Sequence, residues 1–583
     1  MITISFRRIL AAGFAAAVVF AGAAGVAGAW RADQTPDAKK PGQTPAQDES
    51  FGEIVNVSVV NVDVFVTDKK GNRINDLKQD DFEVYEDKRP VAITNFYAVK
   101  DGKAVTPQPA QASATETPAP PPLPYQDLNE VKTPEDQRLR LVVYIDNFNL
   151  RPFNRNRVMR ELRAFIGEKL SREDQIMLVS YDRSLHERRS FTSDPHQIAT
   201  ALLELEKVSG QGVHQDSDRC DVLRQIEDSQ NVGEATMYAR SYSQSVFNDL
   251  SFSIDALKDI TNSLAGLPGR KAIIYVSDGL QMIAGQDIWY AVQGKYGEQS
   301  TGLTEQFEFD ASRRFEELAA QANANRITFY AIDAAGLRTY TSISAETQTA
   351  GQPGQGVFVD SIQISNLQSP LQMIAEKTGG VAVINANIVM PQLEKIASDF
   401  NSYYSLGYTP THFGDGRYHR IDVKVKRKGL QVRHREGYRD KNTEARMSDS
   451  TLAALRFPFE NNPMGVKVEL GSPTRRSDGF YLQPVLVKIP IGKLILVPHG
   501  ETHDARVRLF IAAVDTEGNT SEVQQVPLPI HIPAAEVATA TGKDYVYTVS
   551  LLMRGGEQKV AVGVRDDVAA ESSFVARSVR VGA

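Results

Sequence analysis

The sequence predicts an α/β fold for the centre of the chain: a doubly wound, mostly parallel β-sheet flanked by two β regions. The first observation is a series of apolar stretches of strand length with few polar interruptions, which is typical of strands buried on both faces. The second is that apolar residues at helical spacing separate these stretches. The third is that three stretches end at an acid: Asp146, Asp278 and Asp333. Strands that alternate with helices favour right-handed crossovers and a parallel sheet.

The predicted strands and helices of this sheet alternate from residue 138 to residue 408. The strand ranges are 139–146, 176–181, 272–278, 327–333, 381–384 and 403–408. One helix is expected to begin at Pro195, because proline is favoured in a first turn. A short helix is expected to begin at Ser369-Pro370. The region 209–239 is polar and is predicted to be irregular.

The strand at residues 139–146 marks the candidate site. In an open α/β sheet, ligands bind beyond the carboxyl ends of the strands, at the point where the strand order reverses. Asp146 ends the first strand, and Asp278 ends the strand at 272–278. We therefore expect both carboxylates at the ligand-binding edge of the sheet.

Length and composition limit the class of protein. A chain of 583 residues is too long for one core and predicts several domains. The net charge of −7 and the lack of a basic tract argue against nucleic acid as a partner. Cys220 is the single cysteine, which excludes a disulfide framework within the chain and argues against a cysteine-rich zinc site.

Residues 1–29 have the features of an export signal. Arg7 and Arg8 precede an apolar run at 9–26, and Ala27-Gly28-Ala29 resembles a cleavage site. The run is nearly long enough to span a bilayer, so an uncleaved anchor is the alternative. No later stretch is apolar enough for a transmembrane segment. The expected location is secreted, periplasmic or in the cell envelope.

The remaining chain divides by composition. The expected regions are a flexible spacer (30–50), a small β domain (51–100), a proline-rich linker (101–137), the α/β domain with a closing hairpin (138–440), a polar connector (441–456) and a β-sandwich (457–583). The sandwich prediction rests on short alternating segments without a helical pattern.

Three motifs of the central block resemble those of the von Willebrand factor type A domain. They are VYID at 143–146, DQIMLVSY at 174–181 and GRKAIIYVSDG at 269–279. The wider chain is similar to an exported bacterial group of such proteins, through DFEVYED at 81–87, YYSLGYTP at 403–410 and REGY at 435–438. The resemblance covers roughly residues 54–438 and implies a Rossmann-like sheet.

The resemblance also implies a metal site on the carboxyl edge, written Asp-x-Ser-x-Ser with a distant threonine and a second aspartate. Asp146 and Asp278 match the two acids. Phe148 and Leu150 stand at the serine positions and cannot bind a metal, and the threonine has no clear match. With Asn149 as a further oxygen donor, a site for Mg²⁺ or another divalent cation would be degenerate. We expect no cofactor.

The apolar substitutions suggest a different use for the same loop. If Phe148 and Leu150 are exposed, they and Asn147 are candidates for contact with a protein partner. His214, Asp216 and Asp218 could also hold a metal, but a plain surface loop is the simpler interpretation.

Several enzyme classes lack their motifs. The sequence contains no Gly-x-Ser-x-Gly elbow, no His-Glu-x-x-His, no phosphate-binding Gly-x-x-x-x-Gly-Lys loop and no Gly-x-Gly-x-x-Gly. The chain is therefore predicted to be a non-enzymatic adhesion or scaffold protein that binds another exported or cell-surface protein. Two alternatives remain open: an assembly factor for another exported protein, and a metal-dependent hydrolase that uses Asp146 and Asp278.

Overall fold

The computed structural model describes residues 59–100, 103–105, 138–169, 174–338, 353–457 and 461–582. The predicted signal segment, the spacer and residues 106–137 of the predicted linker lie outside these ranges. The described residues form two compact units, which divide between Thr443 and Glu444. None of the helices in the described ranges is both long enough and apolar enough to cross a membrane.

The first unit begins and ends with β-strands and contains an α/β region between them. The opening strands are β1 (Val60–Asp68), β2 (Phe82–Glu86), β3 (Arg89–Val91), β4 (Ile93–Lys100) and β5 (Lys103–Val105). The strands of the α/β region are β6 (Leu139–Ile145), β7 (Gln175–Tyr181), β8 (Leu185–Thr192), β9 (Arg270–Ser277), β10 (Ile327–Asp333) and β11 (Ala382–Val383). Its helices are α1 (Pro152–Lys169), α2 (Pro195–Leu205), α3 (Gly212–Asp228), α4 (Val232–Ser263), α5 (Gln286–Tyr296), α6 (Gly302–Glu305), α7 (Ser312–Ala324), α8 (Pro353–Lys377) and α9 (Met390–Asn401). The closing strands are β12 (Tyr403–Tyr408), β13 (Tyr418–Val425), β14 (Leu430–Arg433) and β15 (Gly437–Arg439).

The α/β strands form one sheet in the order β8-β7-β6-β9-β10-β11. β8 is antiparallel to β7, and all other neighbours in this sheet are parallel. The chain enters at β6, builds outward to one edge, returns past β6 and builds to the other edge. This order confirms the α/β fold predicted for the centre of the chain, with a mixed sheet whose switch point lies between β6 and β9.

The central position of β6 follows from its sequence. Leu141, Val143 and Ile145 lie in a hydrophobic core with residues of α1, α2 and α9. Val142 and Tyr144 point to the opposite face and are buried too. Successive side chains alternate between the faces of a strand, so a strand that is apolar throughout needs cover on both faces.

Three predictions about helices need correction. The region 209–239, expected to be irregular, forms α3 and the first part of α4. Pro370 lies inside α8 rather than at its start. The predicted polar connector is a helix, α10 (Thr443–Arg456). The buried face of the first half of α4 carries small residues such as Ala235, Ala239 and Ser243, so the apolar periodicity there is weak in the sequence.

The opening and closing strands of the first unit combine into two further sheets. Their orders are β14-β1-β12-β4-β5 and β15-β13-β2-β3. β12 pairs antiparallel with β1 and β4, so the prediction that residues 403–408 belong to the α/β sheet is wrong. The error has a physical reason: β12 is buried along its whole length, and such a strand has the same sequence pattern in either kind of sheet.

The second unit consists of α10 and two antiparallel sheets. Its strands are β16 (Lys467–Leu470), β17 (Thr474–Arg475), β18 (Tyr481–Pro490), β19 (Val497–His499), β20 (Thr502–Asp515), β21 (Gln524–Pro533), β22 (Asp544–Met553), β23 (Gly556–Asp566) and β24 (Glu571–Val581), with a short α11 (Val537–Ala540). β18 pairs with β16, β17 and β22, and β20 pairs with β19, β21 and β23. One hydrophobic core takes residues from both sheets, such as Val487 and Val562, which is the arrangement of a sandwich.

Candidate functional site

Asp146 follows β6 and is buried at the switch point, with 1% of its surface exposed. Its Oδ2 accepts hydrogen bonds from the Tyr275 hydroxyl at 2.5 Å, the Asn149 side-chain amide at 2.8 Å and the Ser277 hydroxyl at 3.0 Å. Its Oδ1 accepts one from the Asn149 backbone N–H at 3.2 Å. Burial raises the pKa of the Asp146 carboxyl, and these hydrogen bonds oppose that rise. The carboxyl is therefore enclosed by donors of its own loop and of β9.

Asp278 follows β9 on the other side of the switch point and is also buried. Its Oδ2 accepts from the Arg151 backbone N–H at 2.8 Å, and the Asn154 amide donates to Oδ2 and Oδ1 at 3.0 and 3.1 Å. Burial raises the pKa of the Asp278 carboxyl against the effect of these donors. Because Arg151 and Asn154 stand at the start of α1, Asp278 ties the loop after β6 to the end of β9.

A third buried acid, Asp333, ends β10. Arg338 donates to its Oδ1 at 2.8 Å, Gln368 donates to its Oδ2 at 2.9 Å and the Ala335 backbone N–H donates to Oδ1 at 3.1 Å. Arg338 also donates to the backbone carbonyl of Asp278. The acids at this edge thus act as anchors for loops.

The structure buries the loop residues predicted to contact a partner. Leu150 lies in the core under α1, and Phe148 packs edge-on against Tyr181 with ring centroids 6.2 Å apart. The Asn147 amide donates to the Ser209 carbonyl at 2.8 Å. The expectation that Phe148 and Leu150 are exposed is therefore wrong. A partner-binding role for these three residues stays a prediction, and as placed they would act through the shape of the loop.

Gln211 and Gly212, at the start of α3, cover the loop after β6. The Gln211 backbone N–H donates to the Asn147 carbonyl at 3.2 Å, and that of Gly212 donates to the Leu150 carbonyl at 3.3 Å. A Cβ atom on Gly212 would lie 2.8 Å from the Leu150 carbonyl carbon, so only glycine permits this approach. Residues at the start of the region 209–239, which was predicted to be irregular, therefore pack over the loop after β6.

The arrangement at Asp146, Asn149 and Asp278 does not fit a divalent cation. Every carboxylate oxygen of Asp146 and Asp278 already accepts a hydrogen bond from a protein N–H or O–H group. The amide oxygen of Asn149 accepts a bond from Gln215 at 3.1 Å. Mg²⁺ requires oxygen ligands in near-octahedral geometry, and these oxygens face donors instead. The binding of a divalent cation by Asp146, Asn149 and Asp278 stays a prediction. The geometry of these residues does not support it.

A cleft of about 310 Å³ opens beside the switch point. Phe148 and Asn149 of the β6 loop form one wall with Gly279 and Leu280 after β9. The other wall comes from helices α3 and α4, whose lining residues include Gln215, Tyr238, Tyr242 and Asp249. The lining is mostly amide, hydroxyl and apolar, a surface suited to hydrogen bonding and packing.

Sequence reasoning missed the α3 and α4 residues of this cleft. The signal that could have found α4 is its start: the Asn231 side chain accepts a hydrogen bond from the Glu234 backbone N–H at 3.0 Å, as in an N-terminal cap. Asn followed three residues later by Glu is a known start pattern.

Three large apolar side chains are exposed at the same edge: Phe153 at 78%, Leu337 at 63% and Ile388 at 69%. We call Phe153, Leu337 and Ile388 the edge patch. They follow β6, β10 and β11, and hydrogen bonds join their loops. Arg157, one turn after Phe153 on α1, donates to the Ala334 carbonyl, and the Leu337 backbone N–H donates to the side chain of Asn387 at 2.9 Å. Hydrogen bonds between these loops therefore fix the positions of the three edge-patch residues.

His214, Asp216 and Asp218 lie in the first two turns of α3. Asp216 forms a bidentate pair with Arg151, with N–O distances of 2.5 and 2.6 Å. Cys220 is a free, exposed cysteine on the same helix. His214, Asp216 and Asp218 are not among the groups of the described chain whose ligand atoms converge as at a metal site.

Comparison with known proteins adds little beyond this geometry. No protein-family model and no curated protein matches the sequence. Similar solved structures include an aerotolerance-related membrane protein from Bacteroides fragilis NCTC 9343, with 13% identity, 45% of this chain and 98% of that chain covered, and a TM-score of 0.22. The manganese-loaded TRAP protein of Plasmodium vivax has 11% identity, coverages of 52% and 94%, and a TM-score of 0.23. The vWF domain of a type V pili tip protein from Porphyromonas gingivalis has 12% identity, coverages of 46% and 96%, and a TM-score of 0.22. At these scores the likeness carries no argument, and the α/β fold of this chain rests on its strand order.

Proposed function

We propose that this chain is an exported, non-enzymatic adhesion or scaffold protein whose von Willebrand factor A-like region binds a partner protein. The observation that carries the proposal is the composition of the carboxyl edge. Its three acids are buried and hydrogen-bonded to protein donors, while the edge patch of Phe153, Leu337 and Ile388 is exposed. Large apolar side chains that are exposed at one edge of a domain are typical of protein interaction sites.

The partner in this proposal is another exported or cell-surface protein with a complementary apolar surface. Large apolar side chains near the centre of an interface supply much of the binding free energy. Residues 1–29 would direct the chain to the secreted, periplasmic or envelope location where such a partner is found. The proposal assigns no metal and no catalytic group to the edge.

The edge patch provides the direct test. We expect the triple variant Phe153→Glu, Leu337→Glu, Ile388→Glu to capture the partner at least tenfold more weakly than the natural chain, because a charge in an apolar interface is desolvated without a counter-charge. The measurement is capture from a cell-surface protein fraction by the full chain, followed by a binding titration with the captured protein. Val546→Glu, at a half-exposed apolar residue of the second unit, is the matched control and should bind normally.

Two outcomes would contradict the proposal. The adhesion function is wrong if the triple variant binds as tightly as the natural chain. It is also wrong if Asp146→Ala abolishes turnover of a substrate and leaves capture intact, which would favour the hydrolase. We expect capture to survive EDTA, since the edge patch needs no cation.

A further inference from the structure

Side chains of the kinds that bind metals converge between β12 and the start of β13, far from the switch point in the sequence. His412, Asp415 and His419 offer ligand atoms that all lie within 4.8 Å of one another. They stand in the loop after β12 and at the start of β13, in the sheets built from the opening and closing strands of the first unit.

The two imidazoles are oriented by carboxylates. Nδ1 of His412 lies 3.0 Å from Asp440 Oδ2, and Nδ1 of His419 lies 2.9 Å from Asp87 Oδ2. A carboxylate at Nδ1 favours the tautomer with its proton on that nitrogen and leaves a lone pair on Nε2. Histidine ligands of metal ions are held in this way.

The two Nε2 atoms face a common polar space. Nε2 of His419 lies 3.2 Å from both carboxylate oxygens of Asp415. Nε2 of His412 lies 3.3 Å from Glu86 Oε2, but the two atoms are not aligned for a hydrogen bond. This buried nitrogen has no hydrogen-bond partner among the described residues. A buried polar atom without a partner is costly, and a bound ion would satisfy it.

The charge around the histidines also favours a cation. Glu86, Asp87, Asp415 and Asp440 place four carboxylates around two imidazoles. Glu86 and Asp440 are buried. Buried charges are stable in proteins when they are paired or bind a metal.

We propose that His412, Asp415 and His419 bind a divalent transition-metal ion, zinc by preference, with Oε2 of Glu86 as the fourth ligand. Two imidazole nitrogens with carboxylate oxygens suit Zn²⁺, whereas Mg²⁺ takes oxygen ligands. The rings stack with centroids 3.7 Å apart and an angle of 14°. Bonds of about 2.0–2.1 Å to both nitrogens require the rings to tilt toward the ion. His412 is in a loop that can supply this movement.

The ion would connect distant parts of the chain. His419 and Asp87 are 332 positions apart, and the site joins the turn after β2 to the segments on both sides of β13. Zinc bound only to the folded state would raise the stability of the first unit. The inference is independent of the proposed adhesion function, since the edge patch lies on a different sheet.

The test uses the full chain without a polyhistidine tag, stripped with EDTA and dialysed. We expect one equivalent of bound zinc by atomic absorption and a rise in melting temperature with ZnCl₂, but no rise with MgCl₂. Asp415→Asn should weaken zinc binding at least about tenfold, because it removes a ligand charge. Its amide oxygen can still accept the Arg417 backbone N–H, which donates to Asp415 Oδ1 at 2.8 Å, so the turn is kept.

The matched control is His531→Ala. His531 and His499 both pair with Asp504 in the second unit, at 2.8 and 3.3 Å, but they are exposed and do not converge as at a metal site. The control should bind zinc like the natural chain. The proposal is overturned if the natural chain takes up no stoichiometric zinc, or if Asp415→Asn and His412→Gln both bind zinc as it does.

Discussion

Leu150 shows how one side chain fixes the shape of the candidate edge. It lies in the core with α1, and its carbonyl accepts a hydrogen bond from the backbone N–H of Gly212, the first residue of α3. Phe153, three residues later, is exposed. Two apolar residues of one short stretch therefore have different roles. Leu150 stabilises the core, and Phe153 is part of the exposed edge patch.

We expect Leu150→Ala to lower the free energy of unfolding of the first unit by about 2–5 kcal/mol, because it leaves a cavity in the core. Phe153→Ala, the control, should change it by no more than about 0.5 kcal/mol. The measurement is urea unfolding followed by fluorescence. Equal effects of the two substitutions would contradict the assigned burial.

The positions of Asp146 and Asp278 could be predicted from the sequence, since each ends an apolar run of strand length. Their hydrogen bonds could not be predicted. The Tyr275 and Ser277 hydroxyls reach Asp146 from the neighbouring strand, and a single sequence does not give the register between β6 and β9. The metal site implied by the resemblance stays a prediction, and the hydrogen bonds that Asp146 and Asp278 accept do not support it.

At the level of elements, long apolar strands and strands with a regular alternation of apolar and polar residues were predictable, such as β18, but strands with neither pattern were not. Strands β6, β7, β9 and β10 were predicted within a few residues of their bounds. β8 is partly exposed and rich in charge, so it has no strand signal of its own and forms through pairing with β7. The first half of helix α4 was missed because small residues cover its buried face, whereas the second half, with Leu250, Ile254 and Leu257, was predicted.

His434 contributes to the pairing of β13 with the segment after β14. Its Nε2 accepts the Val423 backbone N–H at 3.2 Å, and its Nδ1 donates to the Arg435 carbonyl at 2.8 Å. Only a neutral imidazole can make both bonds. Burial lowers the pKa of His434; the Arg435 charge adds to this, and the Arg435 carbonyl, Asp422 and Glu436 oppose it.

A lowered pKa in the folded state means that the unfolded chain binds more protons below the ordinary histidine value of about 6.5. The stabilisation that neutral His434 provides is therefore present above a pH of about 6.5 and is lost as the pH falls below it. We expect the melting temperature of the natural chain to fall more between pH 7.5 and pH 5.5 than that of His434→Gln, which keeps an acceptor and does not titrate. Other groups titrate in both proteins, so the difference isolates His434. Parallel pH profiles would contradict the assignment.

At the scale of the first unit, a buried ion-pair cluster joins the α/β sheet to the sheets around it. Asp399 of α9 accepts hydrogen bonds from Arg433 at 2.9 Å and from the Tyr330 hydroxyl at 3.1 Å, and it also pairs with Arg73. Burial and the charge of Arg433 lower the pKa of Arg73 to about 10. The cluster connects β10 and α9 with β14 and the turn after β1.

We expect Asp399→Ala to lower the stability of the first unit by about 3–5 kcal/mol, because it leaves two guanidinium groups without their carboxylate. The measurement is urea unfolding of the full chain. The control is Asp76→Ala, which removes an exposed pair with Arg427 and should leave the midpoint unchanged. A small effect of Asp399→Ala would show that the two parts of the unit are not coupled through this cluster.

The pairing of β12 with β1 and β4 has a mechanical consequence. The α/β region is an insertion whose two ends leave from the same sheet, so it forms a closed loop of the chain. A pulling force applied between residues 59 and 443 would first load the antiparallel ladders of β1 with β12 and β14 at one end and the ladder of β15 with β13 at the other. The hydrogen bonds of these ladders would carry the tension, and the inserted region with its edge patch would stay unloaded until they rupture. A partner held at that edge would remain bound to an undeformed surface while the chain is under strain.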